Sequence, residues 1–169
     1  FCPYIIINHK LFRTFALSIV ADERNRSVCS GHKIVKYQIN YMLTKVIEQS
    51  KIDHFAKWME RADKIVIVAH VGPDGDAIGS SLGLWHFLNT QDKDVNIIVP
   101  NAFPDFLRWM PGSKDILLYD RYKEFADKLI AEADVICCLD FNAISRIDAM
   151  AEAVLAVSYT HLRAHETGR

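Results

Sequence analysis

Residues 64–88 read KIVIVAHVGPDGDAIGSSLGLWHFL, and the fold turns on how this stretch is read. Lys64–Ala69 is a β-branched apolar run too short for a helix, which predicts a buried strand. Ala77–Leu88 moves to helical spacing through Ile78, Leu82, Trp85 and Leu88. The polar loop His70–Asp76 therefore joins the carboxyl end of a strand to the N-terminus of a helix.

Outward from this unit the alternation continues. Val46–Ala62 places Ile52, Phe55, Ala56, Met59 and Ala62 at amphipathic-helix spacing. Val95–Val99 reads as a second strand closed by Pro100, Pro104–Gly112 as a short turn-rich helix, and Asp115–Tyr119 as a third strand. Lys123–Ala133 reads as a helix, Val135–Leu139 as a fourth strand ending at Asp140, and Ser145–Ala156 as a last helix. Strands and helices in alternation with short connections predict an α/β fold, a parallel Rossmann-like sheet with helices on both faces. Ligands of such sheets sit beyond the carboxyl ends of the strands. Two polar clusters lie at such ends, His70–Asp76 and Asp140–Arg146. No internal repeat is present.

Composition agrees with a globular chain. Of 169 residues 50% are hydrophobic, with only 7 Gly and 5 Pro, which excludes disorder and collagen-like sequence. No stretch nears the roughly 18 apolar residues of a membrane span, so no membrane association is expected. The formal net charge of −1 divides unevenly: +4 over residues 1–41, −6 over 42–156 and +1 over 157–169. Residues 1–41 carry no sustained period, and the first Met is Met42, so they are expected to be upstream sequence outside the domain. Val157–Thr167, VSYTHLRAHET, looks like a translated sequencing adapter, and residues 157–169 are set aside with it. That reading covers His161 and His165, whose i, i+4 spacing imitates a metal pair. The domain proper is then expected over residues 42–156.

The chemistry concentrates at His70-Val-Gly-Pro-Asp74-Gly-Asp76. Gly75 frees the backbone so that both flanking carboxylates can face one point, and Pro73 keeps the approach out of a helix. One imidazole and several carboxylates suit Mn²⁺ or a similar divalent ion, and Asp140 at another strand end can share the pocket. A plainer reading has Asp-Gly as a turn former and Asp76 as the cap of the helix beginning at Ala77. Three Asp and a His at two strand ends favour the metal reading. Gly72, Gly75 and Gly79 do not make a dinucleotide fingerprint, and two carboxylates there would repel a pyrophosphate. An aspartyl-phosphate phosphatase would place its nucleophile immediately after the strand, where His70 stands.

Several other residues read as structural. Cys137 and Cys138 are adjacent in a buried strand and point to opposite faces, so they form no redox or zinc pair. Reduced, buried thiols fit a cytoplasmic protein. Trp58, Phe87, Phe103 and Trp109 read as core or rim packing, and His86 as structural.

HVGPDGDAIGSSLGL together with VICCLDFNAISRID resembles the DHH phosphoesterase superfamily, the RecJ-like hydrolases, over about Met42–Ala156. The likeness is strongest to the branch of oligoribonucleases (nanoRNases) and 3′,5′-adenosine bisphosphate phosphatases. It implies two lobes with two Mn²⁺ between them, Mg²⁺ or Co²⁺ serving as substitutes. It also implies His70 and Asp74 as ligands of one ion, Asp76 of the other, and Asp140 as the bridge. Asp76 and Asp140 would then be the catalytic carboxylates. The family's Asp-His-His motif and glycine-rich second lobe lie outside this sequence, which implies a chain truncated before that lobe.

The expected function is metal-dependent hydrolysis of short oligoribonucleotides, a 3′,5′-nucleoside bisphosphate, or both, by a water that two metals activate. Ser80 and Ser81 at the helix N-terminus, with Asn142 and Arg146, are candidates to bind phosphate. Equally, Ser145 could cap a helix and Arg146 be a solvated charge. The acidic core lacks the basic stripe that a long nucleic-acid track needs. Cyclic dinucleotide phosphodiesterase and single-strand exonuclease are the alternatives within the superfamily, and a homodimer is compatible with it. The non-enzymatic alternative is an inactive metal- or nucleotide-binding fragment.

Overall fold

Each central strand is apolar because both of its faces are covered. The computed structural model describes residues 49–157 together with two short strands, Tyr4–Ile7 and Leu162–Arg163. In chain order the elements are β1 (Tyr4–Ile7), α1 (Gln49–Arg61), β2 (Lys64–Val68), α2 (Gly75–Asn89) and β3 (Asp94–Val99). There follow β4 (Leu117–Leu118), α3 (Lys123–Glu132), β5 (Val135–Leu139), α4 (Met150–Ala156) and β6 (Leu162–Arg163). Among the described residues all strand pairs are parallel, in the order β4-β3-β2-β5-β1-β6.

Alternation along the strands builds two cores. Ile65, Ile67, Val95, Ile97, Val135 and Cys137 face one way, against Met59 and Ala62 at the α1 end and Ile78, Leu82 and Leu88 of α2. Val66, Val68, Ile98, Ile136 and Cys138 face the other way, against Ala126 and Ile130 of α3 and Met150 and Val154 of α4. The two cysteines thus enter opposite cores, as strand geometry requires, and both are free thiols. Among the described residues no helix is long and apolar enough to cross a membrane.

The connections depart from the sequence reading in three places. The stretch 104–112 forms only a 3₁₀ turn at Asp105–Leu107. Gly112, at φ +83, lies so close to Trp85 that a Cβ there would stand 2.9 Å from the indole, so the chain turns where only glycine fits. The third strand shrinks to Leu117–Leu118, because Ser113–Asp115 form a second 3₁₀ turn. The last helix is split: Ile144–Ile147 is a 3₁₀ turn, Asp148 breaks it at φ +46, and α4 starts at Met150.

Two of the six strands fall in the terminal segments that the sequence reading sets aside. Tyr4–Ile7 holds three consecutive isoleucines and pairs with β5 from Tyr4↔Ile136 to Ile7↔Leu139. Leu162–Arg163 pairs with it in turn. His161 and His165 lie outside the described residues.

From β2 the chain winds outward to β3 and β4, then returns to place β5 on the other flank of β2. The direction of winding therefore reverses between β2 and β5. At such a switch point the loops leaving neighbouring strands diverge to opposite faces and open a crevice.

Candidate metal centre

The crevice receives one residue from each neighbouring strand. β2 and β5 pair in register from Ile65↔Val135 to Val68↔Cys138, and the same register carried two residues further sets His70 opposite Asp140. The His70 side chain is 8% exposed and that of Asp140 is 22% exposed, with Nε2 and Oδ2 3.7 Å apart. That is too long for a hydrogen bond. Two donors sharing one ion at roughly 2.0–2.2 Å each stand at most about 4.4 Å apart, so the gap suits a cation between them.

Asp74 completes the group. His70, Asp74 and Asp140 each offer a ligand atom, all within 4.8 Å of one another. Asp74 is also the N-cap of α2, its Oδ1 accepting from the N–H of Asp76 and of Ala77 at 3.0 Å each. The cap belongs to Asp74 and not to Asp76 because the helix opens at Gly75. One imidazole nitrogen with two carboxylates is a borderline-to-hard donor set, which fits Mn²⁺ and its neighbours better than a thiolate-seeking ion.

Backbone geometry aims these groups. Asp140 leaves β5 at φ +63, in the left-handed region that aspartate tolerates better than most residues. His70 Nδ1 lies 2.8 Å from the Val71 carbonyl, which as an acceptor favours the ring N–H at Nδ1 and leaves Nε2 toward Asp140. The loop is held on two sides. Val71 N–H donates to the Arg146 carbonyl at 2.8 Å, and Gly72 N–H donates to Asn101 Oδ1 at 2.8 Å.

The remaining candidates are placed differently. Asp76 is exposed in the first turn of α2 and stands outside the three-residue group. Ser80 and Ser81 are buried, and both hydroxyls donate to the Ala77 carbonyl, at 3.1 and 2.8 Å, so their protons are used within the helix. Asn142 and Arg146 are exposed on the loop after β5, with the Arg146 carbonyl, as described, bonded to the loop after β2. Of the aromatic residues Phe103 is buried and Trp58 and Phe87 are half-buried against the core. Trp109, however, is 76% exposed and does not pack there. His86 bonds the Pro111 carbonyl at 3.0 Å, a structural role.

Sequence reasoning missed Asn101. It stands just beyond the carboxyl end of β3, and the strand-end rule that singled out His70 and Asp140 would have included it.

Comparison with known proteins meets this geometry on the same segment. A model of the DHH family, N-terminal domain, matches residues 64–164. The bifunctional oligoribonuclease and PAP phosphatase NrnA of Thermus thermophilus is 37% identical over 83 residues, 49% of this chain and 23% of that protein. The crystal structure of an exopolyphosphatase-related protein from Bacteroides fragilis superposes with a TM-score of 0.67 at 77% identity. That match covers 69% of this chain and 34% of the other. The chain thus spans about a quarter of the one relative and a third of the other.

Proposed function

The chain belongs to the DHH family, and on that premise we propose that it carries the metal-binding part of a phosphoesterase acting on short oligoribonucleotides, a 3′,5′-nucleoside bisphosphate, or both. The observation that carries this reading is the convergence of His70, Asp74 and Asp140 at the switch point of the sheet. His70 and Asp74 would hold one divalent ion, Mn²⁺ by preference, with Asp140 shared between it and a second ion near Asp76. Such ions supply Lewis acidity toward a phosphoryl oxygen and make water a nucleophile at neutral pH.

The chain's own groups set the conditions for that chemistry. The Asp74 and Asp140 carboxylates concentrate negative charge in a crevice whose His70 wall is buried, which attracts a divalent cation and disfavours bare phosphate. The loop after β5 offers Asn142 and Arg146, both exposed, to phosphate oxygens. The name of the Thermus relative supports oligoribonucleotide and bisphosphate substrates, and the acidic core supports small ones. Two free buried thiols support a reducing, cytoplasmic setting.

The test is Mn²⁺-dependent hydrolysis of a ribodinucleotide and of adenosine 3′,5′-bisphosphate. It is run on this chain and on one extended to the length of its relatives. Hydrolysis by the extended chain that stops on chelation is the expected result. Turnover that survives chelation, or none despite bound Mn²⁺, overturns the reading. One observation favours the alternative of a metal binder without turnover: the group holds three donors, with Asp76 outside it.

A further inference from the structure

One peptide unit in the loop after β2 is engaged at both ends. Its carbonyl, that of Val71, accepts from His70 Nδ1 at 2.8 Å, and its N–H, that of Gly72, donates to Asn101 Oδ1 at 2.8 Å. The unit is trans and planar, so the two groups point in opposite directions and turn together. Gly72 sits at φ +63, and glycine exchanges positive for negative φ at little cost. A Cβ at Gly72 would meet nothing within 4 Å, so the loop is open on that side of the residue. The bond from Val71 N–H to the Arg146 carbonyl fixes the preceding peptide unit and leaves this one able to turn.

We propose that Asn101 is a positioning residue: it holds the Val71–Gly72 peptide so that His70 carries its proton on Nδ1 and presents a bare Nε2 to the metal site. This rests on the metal-centre reading above. A neutral imidazole has one N–H, and its acceptor decides which nitrogen bears it. With the Val71 carbonyl facing the ring, the proton stays on Nδ1 and the Nε2 lone pair points toward Asp140. With the peptide reversed, an N–H faces Nδ1, and the ring proton moves to Nε2. There it would donate to the Asp140 carboxylate, now 3.7 Å away, and close the gap that a cation would occupy. Asn101 thus selects between an open metal site and a closed His–Asp pair.

Two substitutions separate this role from a merely structural one. Asn101→Leu keeps the branched shape and removes the acceptor, whereas Asn101→Asp keeps an acceptor oxygen for the Gly72 N–H. Imidazole nitrogen NMR on the metal-free protein reads the His70 tautomer, and titration with Mn²⁺ alone reads affinity. The wild-type protein and Asn101→Asp should show the Nδ1–H tautomer. Asn101→Leu should populate Nε2–H and weaken Mn²⁺ binding about 10–100-fold, the usual cost of losing an outer-shell partner.

An unchanged tautomer and affinity in Asn101→Leu would overturn the proposal and leave the metal reading standing. A tautomer switch in a protein that never binds Mn²⁺ would do the reverse. Should Asn101→Leu fail to fold, the wild-type Gly72 amide decides. Protection from hydrogen exchange alongside an Nδ1–H ring supports the role, and exchange as fast as in an unstructured chain ends it.

Discussion

Asp140 combines a demanding backbone with a demanding side chain. Its φ of +63 lies where most L residues incur roughly 1–2 kcal/mol, while Asn, Asp and Gly are the usual occupants. Asp140→Asn should therefore fold with a nearly unchanged melting temperature while Mn²⁺ affinity falls by more than the roughly 10–100-fold expected of an outer-shell change. Asp140→Ala should lose the same affinity and, in addition, about 1 kcal/mol of stability. Calorimetric melting with Mn²⁺ titration of both variants checks the pair, and an Asn variant that still binds normally would remove Asp140 from the ligand set. Cys138 makes a contrasting case, since burial pushes its thiol above the ordinary range and suppresses the thiolate. Alkylation of Cys138 in the folded protein at neutral pH should accordingly be as slow as global opening. Its inert character was legible from strand alternation alone, whereas the left-handed turn at Asp140 was not. No sequence pattern distinguishes an aspartate that ends a strand from one that also reverses φ.

Helix α2 shows why the site was easier to locate than to assign. Its apolar spacing and the polar loop before it were plain, but Asp74 and Asp76 are chemically alike, and the sequence reading put the cap at Asp76. The structure gives Asp74 two functions, one oxygen accepting from the first-turn amides while the carboxylate also joins the ligand group. Asp74→Asn should keep the cap and Asp74→Ala should lose it, a difference of about 1 kcal/mol in urea unfolding, within the range of roughly 0.5–2. Both should weaken Mn²⁺ binding equally. Equal stability of the two variants would show that the cap bonds contribute nothing. A second carboxylate ties two elements at the opposite end of the sheet. Asp134 Oδ2 accepts from the N–H of Lys64 and of Asp63 at 2.9 Å each, and these bonds hold its carboxyl below the usual range. A lowered folded-state pKa means a contribution fully present above the unfolded value of about 3.9 and lost as pH falls through the folded one. The stability advantage of wild type over Asp134→Ala, on the order of 1 kcal/mol at pH 7, should thus shrink below about pH 4. An advantage that persists there would assign it to packing and not to the carboxylate.

At the scale of the whole molecule the deciding fact is strand order, which no local period encodes. The alternation of strand and helix was readable because each element's burial is written in its own residues. That β5 returns beside β2 depends on the direction of crossover, and it is this return that sets His70 opposite Asp140 across a long stretch of chain. Terminal strands are less legible still: three isoleucines inside a basic, aperiodic segment give no sign that they extend the sheet past β5. Beyond β3 on one side and β5 on the other, only short strands cover the sheet, and uncovered edges are templates for association. Among the described side chains both cores are drawn from residues 55–157. Deleting residues 1–41 should therefore leave one cooperative unfolding transition with a similar urea midpoint. It should also speed aggregation, because the backbone groups of β5 that pair with Tyr4–Ile7 become free to pair with another chain. Urea titration and light scattering on the truncated and intact chains read the two effects separately. A midpoint that collapses would make β1 part of the core, and a midpoint and aggregation rate both unchanged would mean that the β1–β5 pairing contributes nothing in solution.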